Sequence, residues 1–314
     1  RGFIFMTWKP GKKSAKRHDG EPVTVKTFLT PLLYLAPFIV VVSVFMIYPM
    51  ITVFLNSFLE DYNYLANTYS GMGLGNFAAL FQDKEFLLAL KNTFLYVFFV
   101  VPIATVLALA VAILLNQKLK GSSFFQFIYF LPMVTAMIAV GVVWKWMYHY
   151  DYGLINYFLG VLGIEPLRWM ENPQMALAAL VIYGIWGKLP FTIILFLSGL
   201  QTIGEQYYTA AKVDGAGSAK ILFRITLPLL SPTVALVLII NIIHTSKVFN
   251  EVFALFNGKP GPGYSLYTVV FYIYENFYNK MEVSIACAAA LVLFLIVFVM
   301  TVLQMAIQKW WVKR

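Results

Sequence analysis

The chain is short of charge, of histidine and of cysteine. Charged residues make up 12% of the 314 positions, against about 25% in soluble domains. Hydrophobic residues make up 61% and mean hydropathy is +0.77, so a soluble chain of this length would have too little polar surface to stay dispersed. The three histidines, His18, His149 and His244, are far apart, and the one cysteine, Cys287, lies inside an apolar run. This excludes an intrachain disulfide and leaves no metal-ligand cluster. There is no HExxH pair, no Gly-x-Ser-x-Gly elbow and no GxxxxGK[ST] phosphate loop; Gly11-Lys12-Lys13-Ser14 lacks the upstream glycine. A metalloprotease, a serine hydrolase and an ATPase within this chain are therefore unsupported. A membrane-embedded enzyme would need convergent acid, base or metal ligands, and the sequence assembles none.

Long apolar runs are what the sequence has in excess. A bilayer core needs about 20 apolar residues as a helix. Six runs qualify, near 28–55, 93–115, 124–147, 174–200, 230–256 and 282–308. The runs are continuous rather than alternating, which points to helices and not to a barrel. The expected fold class is an all-α polytopic membrane protein with six transmembrane helices. Lys and Arg set its orientation. Segments 1–27, 116–123, 201–229 and 309–314 hold 7, 2, 3 and 3 of them, and segments 56–92, 148–173 and 257–281 hold 2, 1 and 2. That ratio of 15 to 5 places both termini in the cytoplasm. The net charge of +9 follows topology, so it is no nucleic-acid signal. Residues 1–27 hold no short apolar core with a cleavage site, and no signal peptide is read there. Their basic cluster, Lys12, Lys13, Lys16 and Arg17, reads as a cytoplasmic tail attracted to anionic membrane lipid.

The external segments carry short elements. Gly75-Asn76-Phe77 opens a small helix after a glycine-rich loop, and Asp151-Tyr152-Gly153 opens another through Leu162. Gly258 to Gly263 reads as a non-helical turn. Trp144, Trp146, Tyr148, Trp169, Trp310 and Trp311 fall where predicted spans meet water, as an aromatic belt does.

Glu205 to Pro232 is a polar, basic island between two apolar runs. Glu205–Val213 predicts a short helix rich in alanine. Asp214-Gly215 predicts a turn, a second helix is expected over 218–225, and Leu227-Pro228 reads as a stop. Such a pair of helices makes a compact knob. Ala210, Ala211 and Gly215 let a partner's backbone approach, and Lys212, Lys220 and Arg224 offer charge to it.

The island resembles the EAA signature of permease subunits in binding-protein-dependent ABC importers, with Ala210-Ala211, Asp214-Gly215-Ala216, Ile225, Leu227-Pro228 and Pro232 in register. Thr209 stands where that family usually has Glu. Gly75-Asn76-Phe77, Asn92-Thr93, Leu114-Leu115-Asn116, Phe130-Leu131-Pro132, Asp151-Tyr152-Gly153 with Asn156, and Gly199-Leu200 are similar to the sugar-type permeases of the same family, over about residues 30–308. The resemblance implies a type I importer fold: a basic tail over 1–27, the first span and external loop over 28–92, a permease core over 93–308 and a tail over 309–314. It implies import of a sugar or oligosaccharide by alternating access across a bacterial inner membrane. The implied partners are a second, different permease, two ATPase subunits and an external substrate-binding protein. ATP and Mg would be bound by the ATPase, and no cofactor by this chain. The implied ATPase-coupling residues are Glu205, Ala210, Ala211, Asp214, Gly215, Ala216, Leu227 and Pro228.

Polar residues inside spans are expensive and mark function by default. Tyr183, Trp186 and Lys188 in the fourth span, and Asn241, His244, Ser246, Asn250 and Glu251 in the fifth, are the candidate substrate-pathway residues. A sugar site needs hydroxyl partners and flat ring faces, and these residues supply both. The competing reading makes them interhelical hydrogen-bond partners, with Lys247 and Glu251 pairing at i,i+4. Asp61, Asp83, Glu85, Asp151, Glu165, Glu171 and Glu275 make the external side the more acidic, a docking face for the binding protein or simply a solvated one. An ATPase-independent secondary carrier or channel is the alternative function; it gives no reason for a docking knob.

Overall fold

The computed structural model describes residues 25–117 and 135–312, together with Phe124, Phe127 and Met133. Among the described residues the regular structure is helical apart from one short hairpin, and contacts divide the chain into two units, residues 1–52 and 53–314. Among the described residues five helices are long and apolar enough to cross a membrane: Leu33–Asn56, Lys84–Asn116, Pro173–Gln201, Ser218–Ser246 and Val283–Gln308. Of the expected third span, only Met137–Met147 is described as a continuous helix; most of the rest lies outside the described residues.

The first unit holds α1 (Val25–Val42), a π turn at Ser43–Ile47 and most of α2 (Tyr48–Asn56). The apolar window of this helix buries none of its residues. The basic tail lies outside the described residues, except that α1 already begins at Val25.

The second unit opens with a two-stranded hairpin, β1 (Leu59–Glu60) antiparallel to β2 (Gly71–Met72). Asn76 fixes it from the start of α3 (Gly75–Gln82), donating to the carbonyls of Ser57 (3.1 Å) and Leu59 (2.8 Å). Helix α4 runs from Lys84 to Asn116, earlier than the predicted start at 93. Asp83 caps it by accepting the Glu85 N–H at 2.8 Å, which satisfies a donor that would otherwise be orphaned. Helix α5 (Met137–Met147) and the short α6 (Leu154–Val161) lead to α7 (Pro173–Gln201). The knob follows as α8 (Glu205–Val213) and α9 (Ser218–Ile221), then a π turn at Leu222–Thr226 and α10 (Leu227–Ser246). After a break come α11 (Asn250–Phe256), α12 (Val269–Tyr274) and α13 (Val283–Val312). Residues 309–312 thus continue the last helix rather than forming a separate tail.

Helix α4 packs along α7 through Ala108 and Ala112, both fully buried and four residues apart, with Ala104 buried one turn earlier. Small residues at that spacing let two helices approach closely where lipid offers no hydrophobic drive. Two clusters result. One gathers Tyr96, Trp144, Tyr148, Trp169, Tyr183, Leu255, Tyr267 and Tyr272 at the hairpin end of the bundle. The other gathers Ala108, Ala112, Ile193, Phe196, Leu200 and Leu230 at the knob end.

Two expectations are corrected here. Leu227-Pro228 does not stop the helix: α9, the π turn and α10 are continuous. The π turn bonds the Leu227 N–H to the Leu222 carbonyl, five residues back. That wide turn accommodates a proline, which lacks an N–H and crowds the preceding turn. The fifth span is not one helix over 230–256. It breaks at Lys247–Phe249, and the Thr268 hydroxyl donates to the freed Val248 carbonyl at 2.8 Å.

Candidate functional site

The knob is built by its turn. Gly215 has φ +69° and follows the C-cap Asp214. Its N–H bonds the Lys212 carbonyl (3.1 Å), and the Ala216 N–H bonds the Ala211 carbonyl (2.9 Å). These two bonds make a Schellman motif, which satisfies the last carbonyls of α8 and needs a left-handed residue where glycine is. Glu205 sits in the first turn of α8, where a carboxylate complements the helix dipole. Thr209, the departure from the family pattern, turns its hydroxyl back to the Glu205 carbonyl at 3.1 Å. Ala211 is buried against the bundle, while Ala210, Lys212, Val213, Lys220, Phe223 and Arg224 are exposed. Beside the knob lies a cleft of about 710 Å³, lined by Asn116, Gln117, Tyr208, Lys212, Ser218 and Leu222 among others. The knob therefore presents basic and apolar side chains around a small-residue turn.

A second candidate site lies between α7, α10 and α11. Lys188 of α7 and Glu251 of α11 approach to 3.9 Å, both largely buried. The expected i,i+4 pair of Lys247 with Glu251 is not formed, because the break at 247–249 changes the helical register between them. Lys188, Lys247 and Glu251 all interact electrostatically with His244. Tyr183 and Trp186 stack with ring centroids 6.4 Å apart and planes 22° from parallel, and Trp144 meets both rings edge-on. Pro190 supplies no N–H to the Trp186 carbonyl four residues before it, so an acceptor is freed beside the rings.

Not every candidate joins this group in the same way. Asn241 is buried and exchanges side-chain hydrogen bonds with Thr192 at 3.3–3.4 Å, tying α10 to α7. Ser246 is buried and donates to the Ile242 carbonyl of its own helix. Asn241 makes the interhelical contact of the competing reading, while Ser246 bonds only within its own helix. His244 and Asn250 are exposed. The structure adds Tyr96, whose buried hydroxyl has no hydrogen-bond partner and which interacts electrostatically with Glu251 and Tyr183. A tyrosine in an apolar run gives no sequence signal of this kind; only its placement against Gly184 on the facing helix does.

At the hairpin end several groups expected to face solvent bond to one another. Tyr272 donates to the Asp83 carboxylate at 2.6 Å, and burial, followed by that bond, pushes its hydroxyl pKa up. Lys280 bonds Glu85 at 3.0 Å; burial lowers its pKa, but Glu85, Glu275 and Glu282 outweigh that and raise it. Three members of the expected aromatic belt are core residues instead. Trp144, Tyr148 and Trp169 are buried; Tyr148 donates to the Ala179 carbonyl and Trp169 to Asn156. Trp146 is exposed as expected, and the side chains of Trp310 and Trp311 lie outside the described residues.

Residues 71–313 match the family described as the binding-protein-dependent transport system inner membrane component. The trehalose/maltose transport system permease protein of Thermococcus litoralis is 32% identical over 277 residues, 88% of this chain and 92% of that protein. The lactose transport system permease protein of Rhizobium radiobacter is 34% identical over 276 residues, 87% and 91% of the two chains. A chain of a bacterial alginate ABC transporter, crystallised with an alginate pentasaccharide-bound periplasmic protein, superposes with a TM-score of 0.79. It covers 92% of this chain and 97% of its own length at 23% identity, a likeness of fold.

Proposed function

Because the chain belongs to the inner membrane components of binding-protein-dependent transport systems, matched over residues 71–313, we propose that it imports a sugar or oligosaccharide into the cytoplasm by alternating access. Relatives named for trehalose/maltose and for lactose transport support the saccharide. The 15-to-5 distribution of Lys and Arg supports cytoplasmic termini and a cytoplasmic knob. In this reading the chain works with a second permease, two ATPase subunits and an external binding protein. Hydrolysis belongs to the ATPase subunits, which bind ATP and Mg.

The observation that carries the proposal is the Schellman-closed turn at Gly215, flanked by exposed Lys212, Lys220 and Arg224. It is a shaped protrusion anchored by buried Ala211 and offering basic side chains outward, at the end of a helix that continues into the membrane. When ATP draws two ATPase subunits together, a knob seated on one of them moves with it. The continuous helix from Ser218 to Ser246 then shifts the level where Lys188 meets Glu251. Tyr183, Trp186, Lys188, His244, Asn250 and Glu251 line the pathway there, with ring faces for the sugar and polar groups for its hydroxyls.

The test is Gly215→Val in the assembled complex. A β-branched residue at φ +69° is strained whatever space surrounds it. Sugar uptake should fall at least tenfold, with ATPase lost from the purified complex or hydrolysing without transport. Uptake that persists after removal of every ATPase subunit would establish a secondary carrier instead.

A further inference from the structure

A cleft of about 390 Å³ opens in the segment between α5 and α7, lined by Trp146, Tyr150, Asp151, Tyr152, Tyr157 and Pro166 among others. Small-molecule sites measure roughly 300–1,000 Å³. Residues 148–173 fall on the external side in the distribution of Lys and Arg. Local bonds fix the walls. The Gly153 N–H donates to the His149 carbonyl at 3.0 Å, closing a turn in which a Cβ at Gly153 would collide with that carbonyl. The Asp151 N–H donates to His149 Nδ1 at 3.2 Å. Buried Asn156 donates to the carbonyls of Tyr150 (3.1 Å) and Leu167 (3.0 Å), and its own oxygen accepts from the Leu167 N–H and the Trp169 indole. The rings are braced too. His149 stacks on Tyr152 with centroids 3.5 Å apart and planes 13° from parallel, and the Arg168 guanidinium lies 5.1 Å from the centre of the Tyr150 ring.

Inside this braced frame, some groups are left without internal work. Trp146, Tyr152 and Tyr157 are exposed rings. Asp151 is exposed, and among the described residues its carboxylate makes no ion pair and accepts no hydrogen bond. An aromatic belt against lipid needs the rings alone. A bare carboxylate is costly against acyl chains and repels anionic headgroups. A saccharide uses both features: the C–H face of a pyranose lies on a ring, and its hydroxyls donate to a carboxylate in charge-assisted bonds. The same carboxylate repels a uronic acid. We propose that this cleft is an external subsite for a neutral saccharide, with Trp146, Tyr152 and Tyr157 as ring platforms and Asp151 as the acceptor for sugar hydroxyls. The inference rests on the saccharide-permease reading above and adds a point of contact in the external segment.

Photolabelling tests it, with a diazirine derivative of maltotriose and the assembled permease–ATPase complex in phosphatidylcholine–phosphatidylglycerol nanodiscs. Peptide mapping should find adducts between residues 146 and 166. Excess maltotriose should suppress them and trigalacturonate, its anionic counterpart, should not. Asp151→Ala removes a side chain with no internal partner, so the melting temperature should hold while these adducts fall about tenfold, the loss expected for hydrogen bonds to a charged group. Trp146→Leu should reduce them as well. Adducts that survive both substitutions, or that trigalacturonate suppresses equally, overturn the inference while leaving a saccharide permease in place. Adducts confined to the spanning helices do the same. Labelling of residues 146–166 by a photoactivatable phosphatidylcholine that maltotriose does not displace would assign the cleft to lipid, and also overturns it. No specific adduct anywhere in a complex that still hydrolyses ATP overturns the saccharide reading as well.

Discussion

The hairpin end and the knob end of this bundle are packed from different materials. At the hairpin end, Tyr96, Trp144, Tyr148, Trp169, Tyr267 and Tyr272 interlock, and polar side chains pin the loops to the helices. Asn92 donates to the carbonyls of Tyr264 (3.2 Å) and Tyr267 (3.1 Å), Thr93 accepts the Val269 N–H (3.0 Å), and Asn156 donates to the carbonyls of Tyr150 and Leu167. At the knob end the cluster is alanine and aliphatic side chains around the single ring of Phe196, and among the described residues a cleft of about 710 Å³ lies beside it. Large rings and buried hydrogen bonds cost much to rearrange. Aliphatic contacts between continuous helices slide at lower cost. The difference places rigidity at one end and freedom to move at the other, with the Lys188–Glu251 pair between them.

Substitutions can break this comparison. The largest effect is expected at the pair. Lys188→Ala leaves Glu251 without its partner inside the membrane, a loss of about 3–5 kcal/mol for a fully buried pair. The purified complex should melt well below the parent, and adding Glu251→Ala should recover most of the loss. A double variant that loses the sum of the two single losses would show the two charges to be independent. Next comes Asn92→Ala, which removes one of two bonds to the Tyr264 carbonyl and strands that of Tyr267, and should cost about 1–3 kcal/mol. It should lower thermal stability more than it lowers transport. Gly199→Leu probes the other end: even a Cβ there would come within 2.5 Å of the Thr233 hydroxyl and 2.8 Å of Leu230. Transport should suffer more than stability, and the reverse result would remove the contrast between the ends. Smallest is Lys280→Ala at the exposed pair with Glu85, about 0.2–1 kcal/mol by denaturation. Its raised pKa makes that contribution present at neutral pH and lost only as pH climbs above the lysine range.

Much of this was legible in the sequence because it is local. Helices at 75–82, 154–161 and 205–213 follow from glycine, turn and alanine signals beside them, and Gly215 is where a left-handed cap demands it. What was misread depends on distant partners. The start of α4 at Lys84 is hidden by Lys84, Glu85 and Lys91, which interrupt an apolar pattern although the helix continues through them. The break after Ser246 rests on Thr268, twenty residues beyond the Val248 carbonyl it bonds. Glu251 has a lysine four residues before it, yet its partner is Lys188 on another helix. Pro228 looks like a terminator until the π turn ahead of it is known. The aromatic residues near the ends of spans look alike whether they face lipid or core, and three of the six turned inward.

The π turn has one more consequence. Because it lets Pro228 stand inside a helix, the 29 residues from Ser218 to Ser246 form one rod with no loop in it. At 1.5 Å per residue that rod is about 43 Å long. A break at the proline would separate its foot from its far end; the continuous helix instead joins the knob directly to the segment next to Lys247.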